Sequence, residues 1–338
     1  MGDVMSITRI AEAAQVSYAT AWRIINNLPC RSEQSVKAVR RAMGEMGYDP
    51  AEGRKRGRRP KSADGIRTHN VALLHLRAGT AISNSVLRHV ERLLAERNLN
   101  LIFGHVEGNG ELPQAVRAGN VDGILGYGQF PAEALTEKLQ RVPAVWMMSR
   151  SDAKGDPWGD RVKPDHHAIG LLAAEYLLKR GHRCVGYINP ASELVMYQER
   201  LAAFRTAVEA AGGTVRVYAR GGAADVQVEA GRLVEQWMGD SPRPTALFVP
   251  TDRATVRVYR ELEGRGVRPG RDVDVVSCDN EKELLSLMEP APASVDLNRE
   301  TVARLAVERL LWRMKNGQAS PRAVITVSPT LGAQGVAA

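Results

Sequence analysis

The sequence predicts an all-α amino-terminal segment of three short helices followed by a two-lobed α/β body built on parallel sheets. Three observations predict it. Residues 6–50 carry short apolar patterns of helical period, the chain from residue 70 onward alternates apolar runs with amphipathic stretches, and the basic run "GRKRGRRPK" at 53–61 separates the two. At 338 residues, 44% hydrophobic and 25% charged, the chain has ordinary globular composition and length for two or three domains.

In the first segment, Ser6 is placed to cap a helix beginning "ITRIAEAA", with Ile7, Ile10, Ala11 and Ala14 on one face. Ser17 caps a second, "YATAWRIINN", whose buried side is Ala21, Ile24 and Ile25 and which stops before Leu28-Pro29. Ser32 caps a third, from about Glu33, through Val36, Val39, Met43 and Met46 to a stop at Gly47. Two helices joined by so short a turn follow the helix-turn-helix plan, in which the second lies in a DNA major groove.

From Asn70 the elements alternate. "VALLHL" is followed by helical periodicity over 82–98, then "NLIFGHV", a helix near 110–118, "VDGILGYG" and "PAVWMM". A second series runs "IGLLAAEYLLKRGH", "CVGYIN", a helix over 197–211, "TVRVYA", a helix near 224–238, "ALFVP", a helix near 252–265 and "VDVVSCD". A helix from Glu300 to Asn316 and the strand "AVITV" close the body. Apolar strands interleaved with amphipathic helices mean parallel sheets covered on both faces, and this many strands means two lobes.

Charge is distributed unevenly. The chain has 46 Lys plus Arg against 38 Asp plus Glu, a net of +8, and "GRKRGRRPK" alone supplies six positive charges with no acid, whereas residues 1–52 are neutral overall. A local basic run of this kind attracts a polyanion. Cys30, Cys184 and Cys278 stand far apart without metal-ligand spacing, and the adjacent pair His166-His167 points two ways with no third ligand, so neither disulfide, metal nor cofactor is expected. "MGDVMSITRIAEAAQ" has no signal-peptide pattern and no window is apolar enough to span a bilayer, which predicts a cytoplasmic protein with no membrane partner. The alternative of an α/β enzyme acting on a sugar or nucleotide rests on "GILGYGQFP", which lacks the full G-x-G-x-x-G; P-loop, nucleophile-elbow and zinc-protease motifs are absent.

The segment "ITRIAEAAQVSYATAWRIINN…SEQSVKAVRRAMGEMGYDP" resembles the DNA-binding headpiece of the lactose-repressor (LacI) family. The resemblance implies that Tyr18, Ala19 and Arg23 read bases, Arg by a bidentate fork to guanine, and that Ser17, Thr20, Trp22 and Asn26 meet phosphates and set register. Gln15 stands where the family usually has Gly, and Trp22 where it has a small Ser. The family's Leu-bearing hinge helix is missing from 51–65; Arg54, Arg56, Gly57, Arg58, Arg59 and Pro60 instead resemble an AT-hook, Arg-Gly-Arg-Pro, with one Arg inserted. Such an arm suits the narrow minor groove of an A·T-rich operator centre.

"KRGHRCVGYI", "RLAAFRTAVEAAG", "RPTALFVPTD" and "VDVVSCDN" occur in the order of that family's periplasmic-binding-protein-like effector domain. The resemblance implies a homodimeric regulator, a repressor in type, on palindromic double-stranded DNA, with a sugar effector between the lobes. Its effector contacts would be Arg200, Asp252 and Asp279, joined by Asn84 and Arg150 from the first lobe, with Tyr127, Trp146, Trp158 and Tyr197 as stacking candidates. The expected division is headpiece 1–50, linker 51–68 and effector domain 69–338, with one lobe over about 69–161 and 297–321 and the other over about 162–296 and 322–332.

Overall fold

The computed structural model describes residues 7–26, 28–30, 32–48, 66–76, 84–106, 111–128, 136–137, 139–148, 158–190, 194–219, 226–317 and 321–332. The chain divides into two compact units, Met1–Ser62 and Ala63–Ala338.

In the first unit, α1 (Ile7–Ala13), α2 (Tyr18–Ile25) and α3 (Glu33–Glu45) enclose a core of Ile10, Ala11, Ala14, Ala21, Ile24, Ile25, Val39 and Ala42. These are the apolar faces that the helical spacing predicts. Ser17 Oγ accepts the Thr20 N–H at 3.2 Å and Ser32 Oγ accepts that of Ser35 at 3.2 Å, so both caps form. Between α1 and α2, Gln15 has φ of 51°, a left-handed conformation that a side chain disfavours. The glycine usual at this position in the resembling family has its physical reason there.

The second unit holds two six-stranded sheets. The first has the order β11-β5-β4-β3-β1-β2, from β1 (Asn70–Leu76), β2 (Asn100–Val106), β3 (Gly123–Gly128), β4 (Ala144–Met147), β5 (Asp160–Pro164) and β11 (Val324–Val327), all parallel. Helices α4 (Asn84–Ala95) and, later in the chain, α11 (Arg299–Asn316) cover one face with Val86, Val90, Leu94, Val302, Ala306 and Leu310; α5 (Gln114–Arg117) lies on the other. Gly126 in β3 has Trp146 packed against it so closely that a Cβ would lie 2.0 Å from the indole ring. The glycines of "GILGYG" therefore serve a strand and its packing, and Trp146, expected as a stacking surface, is core, its Nε1–H donating to Trp158 O at 2.7 Å.

The second sheet has the order β12-β10-β9-β8-β6-β7, with β6 (Cys184–Asn189), β7 (Thr214–Ala219), β8 (Ala246–Phe248), β9 (Asp274–Cys278), β10 (Ala293–Asp296) and β12 (Thr330–Gly332); only β12 is antiparallel to its neighbour. Helices α6 (His166–Lys179), α7 (Val195–Ala210), α8 (Val226–Gly239), α9 (Asp252–Gly264) and α10 (Lys282–Leu285) accompany it.

The chain changes lobe three times: after β5, after β10, and between β11 and β12. One lobe boundary differs from the expected one. The expected division puts "AVITV" with 322–332 in the second lobe, but Val324–Val327 pairs with Arg161–Pro164 in the first, and only Thr330–Gly332 returns to the second. Residues 162–164 likewise belong to the first sheet. The strand β11 is anchored there beside Asp160, whose buried carboxylate accepts the Ala323 N–H at 2.8 Å.

Candidate functional site

The headpiece buries one side of α2 and leaves the other bare. Ala21, Ile24 and Ile25 face the core, while Tyr18 is 54% exposed, Trp22 43%, and Ala19, Arg23 and Ser17 are also exposed. Tyr18 is thus a surface aromatic at the first turn of the helix. The residues expected at phosphates are tied into the helix ends: Ser17 Oγ lies 2.8 Å from Thr20 Oγ1, and Asn26 Nδ2 donates to Trp22 O at 2.8 Å. The exposed side of α2 so presents a phenol from its first turn and an indole and a guanidinium from its second, groups that suit base edges and the sugar-phosphate wall. The arm residues Arg54, Arg56, Gly57, Arg58, Arg59 and Pro60 lie outside the described residues.

In the second unit, the carboxyl ends of the two sheets come together. Met148, just past β4, packs against both lobe cores, and Lys163 at the end of β5 lies 4.0 Å from Glu199 of α7. Arg200 owes its place to a glycine: Gly170 of α6 lets α7 approach until a Cβ there would lie 2.2 Å from Arg200 O. The guanidinium, 1% exposed, donates from Nη1 to Pro250 O, has Nη2 3.5 Å from His166 Nδ1, and stacks 5.5 Å from the Tyr197 ring centroid. Its Nε has no hydrogen-bond partner among the described residues. A buried guanidinium N–H without an acceptor marks a place for one. Burial, with Arg200 and Lys163 nearby, pushes the His166 imidazole down to about 2, which keeps it neutral. His167 is exposed, so the adjacent histidines diverge as expected, and among the described residues no three metal-ligating side chains gather.

Asp279 follows β9 with φ of 117° and accepts the Thr251 hydroxyl at 2.6 Å. Asp252 does not stand beside it as an open ligand contact. It is fully buried, and its carboxylate accepts from the Ser277 hydroxyl, the Ser294 hydroxyl at 2.8 Å and the Glu281 N–H at 2.7 Å. Burial and the Asp279 charge push its carboxyl up to about 7. Asp252 braces the β8, β9 and β10 ends, and Thr251, one residue earlier, reaches the site. The sequence holds a signal for this, since the acid of "VPTD" opens a helix and its hydroxyl neighbour sits at that helix's N-cap. Asn84 opens α4, but its side chain, like Arg150, lies outside the described residues.

Residues 6–51 match the model for bacterial regulatory proteins of the lacI family, and residues 174–333 match that for a periplasmic-binding-protein-like domain. In both parts the chain is similar to the LacI family of transcription regulators. The HTH-type transcriptional repressors PurR of Escherichia fergusonii and of Escherichia coli O1:K1 are each 28% identical over 96% of this chain and 95% of their own length. Among solved structures, the transcriptional regulator CelR in complex with cellobiose is 23% identical with a TM-score of 0.64, covering 98% of this chain and 99% of that one. The lac repressor dimer bound to operator and the anti-inducer ONPF is 19% identical with a TM-score of 0.62, covering 98% of both chains. An Enterococcus faecium LacI-family regulator with bound ribose matches 78% of this chain and 97% of its own at 18% identity and a TM-score of 0.64. No helix among the described residues is long and apolar enough to cross a membrane.

Proposed function

We propose that this protein is a LacI-family homodimeric repressor of transcription, reading a palindromic operator with Tyr18, Ala19 and Arg23 and released or engaged by a sugar held between its lobes. The observation that carries the DNA reading is the bare side of α2, where an exposed phenol, indole and guanidinium stand away from a filled core. Ser17, Thr20, Trp22 and Asn26 set register on phosphates. The arm of Arg54, Arg56, Gly57, Arg58, Arg59 and Pro60 enters the minor groove at an A·T-rich centre, in place of a Leu-bearing hinge. Repression is in keeping with the relatives named PurR, and a cytoplasmic, nucleoid-associated place follows from the DNA target.

The effector reading rests on Arg200 and Asp279, a buried donor without a full complement of acceptors and an acceptor beside the Thr251 hydroxyl. Vicinal hydroxyls both donate and accept, and fit such a pair. Related structures hold cellobiose and ribose, which supports a sugar here. A thermal-shift screen of mono- and disaccharides tests it: a ligand of the folded form at 100 times its Kd stabilises by about 2.7 kcal/mol. A nucleobase that shifts the midpoint while every sugar leaves it unmoved overturns the sugar assignment.

A further inference from the structure

Arg299 belongs to the first lobe by packing and to the second by hydrogen bonding. It opens α11, whose next turns bury Val302, Ala303 and Ala306 in the first lobe's core. Its guanidinium turns to the second lobe: Nη1 donates to the Asp279 carbonyl, and Nη2 lies 3.5 Å from the Asp279 carboxylate and 3.3 Å from that of Glu281. A cation at a helix N-terminus works against the helix dipole, and this one is nearly out of water besides. Its acidic neighbours offset both penalties.

Those acids are crowded. The Glu281 N–H donates to Asp252, and burial together with the Asp279 charge raises both the Asp252 and the Glu281 carboxyls above the usual range. Facing the trio are Arg253 at 4.0 Å from Glu281, Arg200 from α7, Glu283 from α10, Tyr127 from β3 and the buried Cys278 thiol. Asp279 is also bound into the lobe crossovers. Its neighbour Asn280 donates to Asp296 at 2.9 Å; Asp296 accepts the Asn298 N–H at 2.8 Å, and Asn298 donates to Ser328 O at 2.7 Å. Asp279, Asn280 and Asn298 all have positive φ, at 117°, 51° and 51°, conformations that persist only under such restraint.

We propose that Arg299 is a positioning residue of the effector site, holding the Asp279 carboxylate in place as a hydrogen-bond acceptor and tying it to the crossover where the chain returns to the first lobe. The proposal rests on the reading that Asp279 meets the effector. Its chemical consequence is a ligand that presents O–H or N–H donors to Asp279, and one that binds there competes with Arg299 for the same carboxylate and so loads the crossover.

The test uses the full chain without ligand, comparing thermal midpoints of wild type, Arg299→Lys, Arg299→Gln, Asp279→Asn and the double variant Arg299→Gln/Asp279→Asn. Arg299→Gln is expected to lower the midpoint by about 5 °C near pH 8.5 and by less than half of that near pH 5.5, where Asp252, pushed up to about 7, takes up a proton and relieves the crowding. Arg299→Lys recovers most of the loss, and in the Asp279→Asn background the same change to Gln costs less than half as much. An equal loss at both pH values and in both backgrounds means packing alone, and overturns the proposal, as does no loss at all. Should Arg299→Gln fail to fold, the double variant is expected to fold; if it does not, the proposal fails. A sugar screen without a hit leaves this result untouched, and a missing pH signature leaves the sugar reading standing.

Discussion

Asp160 and Arg313, 153 residues apart, form a fully buried two-point ion pair, with Arg313 Nε and Nη2 at 2.8 and 2.6 Å from the carboxylate oxygens. Arg309 and the Ala323 N–H complete the carboxylate's shell. This pair fastens α11 and the returning strand β11 to the first sheet. Removing Arg313 by substitution with Ala leaves the acid buried with Arg309 as its remaining cation, and is expected to destabilise by about 3 kcal/mol, read from urea unfolding. Burial works against the Asp160 charge, but bonds from Arg313, Ala323 N–H and Arg309 outweigh it and hold its carboxyl below the usual range. Its stabilising contribution is therefore present above the unfolded-state value of 3.8 and is lost as pH falls through the lower folded-state value. Acid unfolding of Asp160→Asn should lack that component.

Asp252 has the opposite sign. Its carboxyl rises from 3.8 to about 7 on folding, so the folded chain binds more protons in that window and stability from this group falls as pH climbs through it. Comparing unfolding free energy against pH for wild type and Asp252→Asn should show a flatter slope in the variant. Parallel slopes would mean that Asp252 ionises normally in the fold.

Gln15 adopts a left-handed φ of 51° in an exposed turn. Gln15→Gly is expected to stabilise the headpiece by about 1 kcal/mol, since glycine adopts that conformation without penalty. Thermal unfolding followed by the α-helical signal of the headpiece checks it.

Gly170 admits the backbone of Arg200, and any Cβ there collides with it. Gly170→Ala should push α7 outward, lowering the midpoint and weakening effector binding at least tenfold, about 1.4 kcal/mol. Alanine at the exposed Gly239, whose Cβ would meet nothing, is the matched control.

If the basic arm binds DNA, Arg56→Ala with Arg58→Ala should flatten the log-log salt dependence of operator binding by about one unit for each phosphate no longer neutralised, and relax preference for A·T at the operator centre. Unchanged slope and preference would remove the arm from the interface.

Much of the fold is legible in the sequence because its signals are local. The helical periods of Ile10, Ala21, Ile24 and Val39, and apolar runs such as "VALLHL" and "CVGYIN", need no distant partner to be read. What escapes depends on distant partners. "DRVKP" alternates weakly and ends in Pro164, and it is a strand because Val324–Val327 and β4 flank it. Asp252 reads as a ligand contact because its place in the chain matches a site motif; only the fold shows Ser277 and Ser294 filling its carboxylate. Arg299 gives no signal at all, since a lone Arg at a helix start says nothing of the acids folded against it.

The central claim is that this chain reads DNA through the bare side of α2. Selecting bound sequences from random duplex DNA with the full-length chain, then titrating the selected site by fluorescence anisotropy against wild type, Tyr18→Ala and Arg23→Ala, tests it most directly. The account predicts a palindromic site, with each substitution weakening binding by about 1–3 kcal/mol while the thermal midpoint stays put. Selection that yields no preferred sequence, or a site that both variants bind as tightly as wild type, would contradict it.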